Sequence, residues 1–165
     1  MANSNTIPFK TRKNFKLYNR AFEEGREYDL PFHDVEVLME EGLIEILPLK
    51  SVDYLKLLKE ERATEILVGL PENFFNFARI SQKYLKDKSN ISEKDKKLYS
   101  DSETALRNLL RLRAEKILKA LLVENERIEV HEAELAFSSI IGAEISKWNI
   151  FKENIVKGEK DEAKL

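Results

Sequence analysis

The chain has 165 residues, 35% of them charged, with five glycines and four prolines, a composition that favours long helices with solvated charged faces. The absence of cysteine excludes a disulfide framework, a thiolate zinc site and a cysteine nucleophile. A net charge of −2 excludes a global basic field that would attract nucleic acid.

The polar N-terminus leads into no signal-like segment, and no apolar run approaches the roughly 20 residues needed to span a bilayer. We therefore expect a soluble, cytoplasmic protein with no membrane contact.

The first 50 residues predict a small strand-rich α+β module with one helix. Asp29 is expected to cap this helix, because it precedes Leu30 and Pro31 and proline is tolerated in a first turn. Gly42 provides a stop signal for the same helix. Three short segments are typical of strands: residues 6–9, 13–18 and 43–47.

Beyond Ser51 the apolar residues recur at helical spacing, which predicts a mainly α protein with a helical bundle domain over residues 51–156. Ser100 and Glu103 match a capping box and predict the start of a long helix, so the lysine-rich stretch before them is expected to be a loop or a weak helix. A last helix is predicted from about residue 129, followed by a polar tail over residues 157–165.

No pattern in the sequence indicates catalysis. The two histidines, His33 and His131, have no second metal ligand at suitable spacing, and neither a glycine-rich phosphate loop nor a Gly-x-Ser-x-Gly motif occurs. We therefore predict no catalytic, metal or cofactor-binding residues and no enzyme activity. An enzyme of unrecognised type remains the third functional alternative.

The long helix carries a basic cluster that allows two interpretations. Arg107, Arg111, Arg113 and Lys116 could contact phosphates or an acidic partner, which makes a nucleic-acid-binding helical protein, using the helix face from Arg107 to Lys119, the second functional hypothesis. Alternatively, these residues form salt bridges with acidic residues of neighbouring helices. No aromatic stacking pattern accompanies them, which disfavours single-strand binding.

The last two helices are apolar over more than half of their circumference, which predicts burial from two sides. A second subunit would provide this burial, whereas the alternative is a crowded bundle within one chain. In that alternative, Ile145, Trp148 and Phe151 belong to the internal core. The candidate subunit contacts are Leu109, Leu112, Ile141, Ile145, Trp148 and Phe151.

Three segments in this order resemble the helical domain of GINS subunits, a replication factor of archaea and eukaryotes: residues 70–75 (LPENFF), 109–118 (LLRLRAEKIL) and 129–134 (EVHEAE). The small module is similar to the GINS β-domain, with residues 29–31 (DLP) before a helix that ends in residues 41–46 (EGLIEI). The resemblance covers about residues 6–156. The module order is that of the class with the β-domain first, whereas LPENFF is more similar to the class with the reverse order.

The resemblance implies a non-catalytic subunit of a tetrameric archaeal GINS complex that scaffolds and activates the MCM replicative helicase. It also implies contacts with other GINS subunits, with a RecJ-like partner and with primase and polymerase. Direct DNA binding is expected to be weak or absent, and the protein is expected at the nucleoid through its replication complex.

Overall fold

A computed structural model describes residues 5–123 and 128–160 of the chain. The protein is mainly α-helical, with a small strand-rich module ahead of a long helical region, which confirms the predicted fold class. Within the described ranges, every strand lies between Thr6 and Ile46, and the helical region begins at Ser51.

The small module is built on a three-stranded antiparallel sheet in the order β4-β1-β5, with a separate hairpin formed by β2 and β3. Along β1, Ile7, Phe9 and Thr11 are buried at alternate positions, as expected for a strand with one face on a core. The elements of the module are β1 (Thr6–Thr11), β2 (Phe15–Leu17), β3 (Arg20–Phe22), β4 (Glu27–Pro31), α1 (Phe32–Glu40) and β5 (Ile44–Ile46).

The prediction that Asp29 caps the first helix is wrong. Asp29 lies inside β4, where its carboxylate accepts a hydrogen bond from the Thr6 hydroxyl at 2.5 Å. Leu30 pairs with Ile7 of β1 and is buried in the sheet core, so strand pairing extends through Pro31 and α1 begins only at Phe32.

The helical region contains α2 (Ser51–Arg62), α3 (Phe74–Lys88), α4 (Glu93–Leu122), a 3-10 turn (Glu132–Glu134) and α5 (Leu135–Lys157). The predicted start of α4 at Ser100 is wrong by about two turns. The Ser92 hydroxyl caps the helix by accepting a hydrogen bond from the Asp95 amide at 3.1 Å. No glycine or proline interrupts the lysine-rich stretch after this cap, so it continues as helix into residue 100.

Helix α3 joins two hydrophobic cores. Ile80 of α3 packs into the core of the small module, whereas Phe74 and Ala78 of α3 pack with Tyr54 of α2 and Leu109 of α4. The small module is therefore fixed to the helical region by a shared core rather than only by the chain that connects them.

Helix α5 runs in the same direction as α4 and extends past its end. Its first turns lie beside the middle of α4, because Arg113 binds Glu134 just before α5 begins. Eight residues further along both segments, a Cβ placed on Gly142 would lie 3.8 Å from Cδ2 of Leu121. Since α4 ends at Leu122, residues 143–157 project beyond it. None of the helices in the described parts of the chain is long and apolar enough to cross a membrane.

Candidate subunit interface

One side of α5 presents a row of apolar side chains to solvent. The residues follow one another at steps of three, four or eight, and at 100° per residue they fall within about 80° of the helix circumference. We call this surface the α5 apolar face; it consists of Phe137, Ile140, Trp148, Phe151 and Ile155, all of them exposed.

The aromatic centre of the α5 apolar face lies in the projecting part of the helix. The rings of Trp148 and Phe151 are in contact, with centroids 5.6 Å apart. Their exposed fractions are 53% and 44%, and Ile155 one turn further is 66% exposed. Burial of these side chains therefore requires a surface outside the described residues of this chain.

Further exposed apolar residues flank this face. Ile150 and Val156 lie on other sides of the projecting segment, and Leu118, Leu122 and Val123 are exposed at the end of α4. Exposed apolar side chains therefore lie on more than one side of the projecting segment, in contrast to the single stripe of a helix that packs on one neighbour.

The structure divides the predicted subunit contacts into three groups. Trp148 and Phe151 are exposed, so they do not form the internal core that was the alternative interpretation. The half-buried residues are Leu112, Ile141 and Ile145. Leu109 was a wrong prediction, because its side chain is completely buried within the chain's own second core.

Three members of the α5 apolar face, Phe137, Ile140 and Ile155, were not among the predicted contacts. Their helical spacing was visible in the sequence. The sequence did not reveal which part of the apolar circumference packs against α4, because the residues before α5 determine how the helix is oriented.

Glu134, the residue immediately before α5, belongs to a buried ionic cluster around Arg113. The Arg113 Nε and Nη2 atoms donate to the two carboxylate oxygens of Glu134 at 2.9 and 2.7 Å. Its Nη1 atom donates to the Glu61 carboxylate at 2.9 Å and to the Val68 carbonyl at 2.8 Å. One side chain of α4 thus binds α2, the loop after α2 and the turn before α5.

Lys116 completes this cluster one turn further along α4. Its Nζ donates to the Glu61 carboxylate and to the Ile66 carbonyl, both at 2.8 Å. We call Arg113, Lys116, Glu61 and Glu134 the Arg113 cluster. Two cations face two carboxylates in it, and the side chains of Arg113 and Glu61 are only 2% and 1% exposed.

The electrostatics keep Arg113 charged. Burial by itself lowers the pKa of this guanidinium, but the hydrogen bonds and charges of Glu134 and Glu61 outweigh burial, so the net pKa shift is upward. The predicted phosphate contact at Arg113 is wrong, because its donors are already bound inside the protein.

The other two predicted basic residues lie in solvent and pair within α4. The Arg107 Nη2 atom lies 2.6 Å from Glu103 Oε1, and the Arg111 Nε atom lies 3.9 Å from Glu115 Oε1. The residues of each pair are one helical turn apart. Pairing with acidic residues of neighbouring elements, the second interpretation of the basic cluster, therefore describes Arg113 and Lys116 but not Arg107 and Arg111. Only Arg107 and Arg111 remain accessible to a partner.

A second polar group joins the small module to α3. The Glu45 carboxylate accepts hydrogen bonds from the Tyr84 hydroxyl and from Lys88, the latter at 2.5 Å. Chiefly through the Lys88 hydrogen bond, the pKa of Glu45 falls from 4.5 to about 2. These contacts of Glu45 with Tyr84 and Lys88 help the shared core to hold the small module against α3.

Within residues 5–123 and 128–160, no three histidine or acidic side chains lie together in an arrangement that could hold a metal ion. His131 instead accepts a hydrogen bond at Nδ1 from the Ala133 amide at 3.0 Å and caps the 3-10 turn. Its role in the described structure is therefore that of a helix-start residue.

Comparison with known proteins adds no assignment: none of the protein-family models matches the chain, and no curated protein matches it significantly in sequence.

Proposed function

We propose that this chain is a non-catalytic subunit of a GINS-type replication complex and that α5 joins it to partner subunits. The observation that carries the proposal is the projection of residues 143–157 beyond α4 with Trp148, Phe151 and Ile155 in solvent. A helix of this kind acquires its apolar contacts by packing against another chain.

The energetics favour such packing. Full burial of each large apolar side chain contributes roughly 1.5–3 kcal/mol, and soluble monomers rarely expose a large contiguous apolar patch. A short helical segment without tertiary contacts is also marginal in water. Association thus stabilises both the exposed side chains and the projecting segment that carries them.

The GINS assignment rests on the order of the two modules and on the sequence resemblance. A strand-rich module of residues 6–46 precedes the helices, as in the class with the β-domain first. In the proposed tetramer, α5 contacts other GINS subunits, and the complex as a whole contacts the MCM helicase, a RecJ-like partner, primase and polymerase. The small module, fixed by α3, is held at a defined position relative to α5.

The test is reconstitution with the GINS and MCM proteins of the same organism. We expect the wild-type chain to increase strand displacement by the helicase and the double variant Trp148→Glu, Phe151→Glu to lose this effect. Ser139→Glu with Ser146→Glu is the matched control, since both serines are exposed and lie roughly opposite the α5 apolar face on the helix circumference.

Two results would contradict the proposal. If the wild-type chain neither binds the GINS subunits nor affects the helicase, the function is wrong. If the double variant is as active as the wild type, the assembly surface is not the α5 apolar face.

A further inference from the structure

We propose that the Arg113 cluster fixes the direction in which α5 leaves the protein, and that α5 detaches from α4 as one unit when Glu134 is lost from the cluster. The inference rests on the proposed function only in treating α5 as the assembly surface. It assigns a positioning role to Arg113 and Glu134, two residues that are buried within this chain.

Glu134 is the residue immediately before α5, and it is bound from two directions. Arg113 donates to both of its oxygens from α4. One of the same oxygens accepts a hydrogen bond from the His131 amide at 3.1 Å. The carboxylate therefore ties the 3-10 turn, and with it the first turn of α5, to the middle of α4. A two-point guanidinium–carboxylate contact also restricts rotation, which a single hydrogen bond does not.

His131 provides the second anchor at the same end of α5. Its Nδ1 atom accepts from the Ala133 amide, so Nε2 carries the hydrogen. That Nε2 lies 3.0 Å from both the Pro71 and the Glu72 carbonyl oxygens in the segment just before α3. The ring also contacts Phe75, with centroids 4.7 Å apart. The turn is thus bound to α3 by His131 and to α4 by Glu134.

The rest of α5 is held much less firmly. Ile141 and Ile145 are half-buried, and no residue described in α5 is fully buried. The ion pairs of Lys147 with Glu144 and of Lys157 with Glu153 lie within α5 itself, so they stabilise the helix without attaching it to α4. The direction of the projecting segment therefore depends on the anchors at its first turn.

The composition of the cluster explains why α2–α4 survive the loss of α5. When Glu134 leaves, Arg113 keeps its hydrogen bonds to Glu61 and the Val68 carbonyl, and Lys116 keeps its contact with Glu61. The second core, which contains Tyr54 and Leu109, includes no residue of α5. Detachment of α5 thus exposes the Arg113 side chain to water without opening that core.

The experiment measures amide hydrogen exchange in the full chain, diluted until it sediments as a monomer. Glu134→Gln removes the charge and one acceptor oxygen with little change in shape. Glu132→Gln, on an exposed residue of the same 3-10 turn, is the matched control. We expect exchange over residues 135–157 to accelerate roughly ten- to a hundredfold in Glu134→Gln, the scale for loss of a charge-assisted hydrogen bond. Exchange in α2, and in α4 over residues 98–110, should not change.

Trp148, the only tryptophan of the chain, provides a second measurement in the projecting segment. In Glu134→Gln, its fluorescence anisotropy should decay with a larger nanosecond component than in the wild type or in Glu132→Gln. Unchanged exchange over residues 135–157 would overturn the proposal, and so would equal acceleration in all helices, because Glu134 would then stabilise the whole fold. Since both measurements use the monomer, their outcome is independent of whether the chain joins a GINS complex.

Discussion

Leu109 and Leu122 lie on the same helix, but Leu109 is completely buried whereas Leu122 is 46% exposed. Leu109→Ala should therefore lower the free energy of unfolding by about 2–5 kcal/mol, because it leaves a cavity among Tyr54, Phe74 and Ala105. The matched change Leu122→Ala should cost much less. Urea unfolding of the two variants measures the difference, and equal losses would contradict the described position of α4.

Tyr54 has a buried hydroxyl without a hydrogen-bond partner in the described structure. Burial raises the pKa of this phenol above its ordinary value. Tyr54→Phe keeps the packed ring and removes the unpaired group, so we expect the protein to be as stable as the wild type or up to about 1 kcal/mol more stable. Tyr54→Ala, which also removes the ring, should cost about 3–5 kcal/mol. A hydroxyl that finds a partner in solution would reverse the sign for Tyr54→Phe in thermal unfolding.

Glu45 should contribute to the pH dependence of stability. Its pKa is lowered to about 2 in the folded protein, first by Lys88 and then by Tyr84. A lowered folded-state pKa means that the contribution is complete above the ordinary value of 4.5 and is lost as the pH falls toward 2. Glu45→Gln should therefore reduce the loss of stability on acidification from about pH 5 to about pH 3.

Unfolding in urea at several pH values measures this slope. Glu40→Gln, at an exposed position on α1, is the control and should leave the slope unchanged. If Glu45→Gln and the wild type lose stability in parallel, the ion pair of Glu45 with Lys88 does not persist in solution.

Binding of DNA by the isolated chain should be weak and strongly dependent on salt. Arg113 and Lys116 are held in the Arg113 cluster, so only Arg107 and Arg111 of the predicted set can approach phosphates. Two phosphate contacts give a slope of only about −2 in log K against log salt. Fluorescence anisotropy with a labelled duplex measures this slope. Tight binding at physiological salt that disappears in Arg107→Ala with Arg111→Ala would support the nucleic-acid hypothesis instead.

The fold class was predictable because the apolar period changes near Ser51, and periodicity depends only on local sequence. The boundaries of the helices were harder to predict from the sequence. Asp29 and Ser100 both match capping patterns. However, Asp29 lies in β4 and pairs with β1, and the cap of α4 is Ser92, eight residues before Ser100. Tertiary strand pairing decides the case of Asp29, whereas Ser92 with Asp95 is a competing local cap of the same type as Ser100 with Glu103.

The candidate interface was predictable in part for a similar reason. The helical spacing of Trp148 and Phe151 identified an apolar face, but Leu109 is also apolar and helically spaced, and it lies in the core. The Arg113 cluster joins residues separated by 21 and 52 positions along the chain. No local pattern reveals such a pairing, so the sequence was equally compatible with a basic surface patch and with buried salt bridges on the long helix.

The central claim is that α5 is covered by another chain, and sedimentation equilibrium tests it most directly. The wild-type protein, alone or with a GINS subunit of the same organism, should sediment well above its monomer mass of 19.3 kDa. Trp148→Ala should shift the distribution toward the monomer without loss of helical circular dichroism, because Trp148 is exposed in this chain. A wild-type protein that remains a 19.3 kDa monomer at high concentration and binds no such subunit would contradict the account.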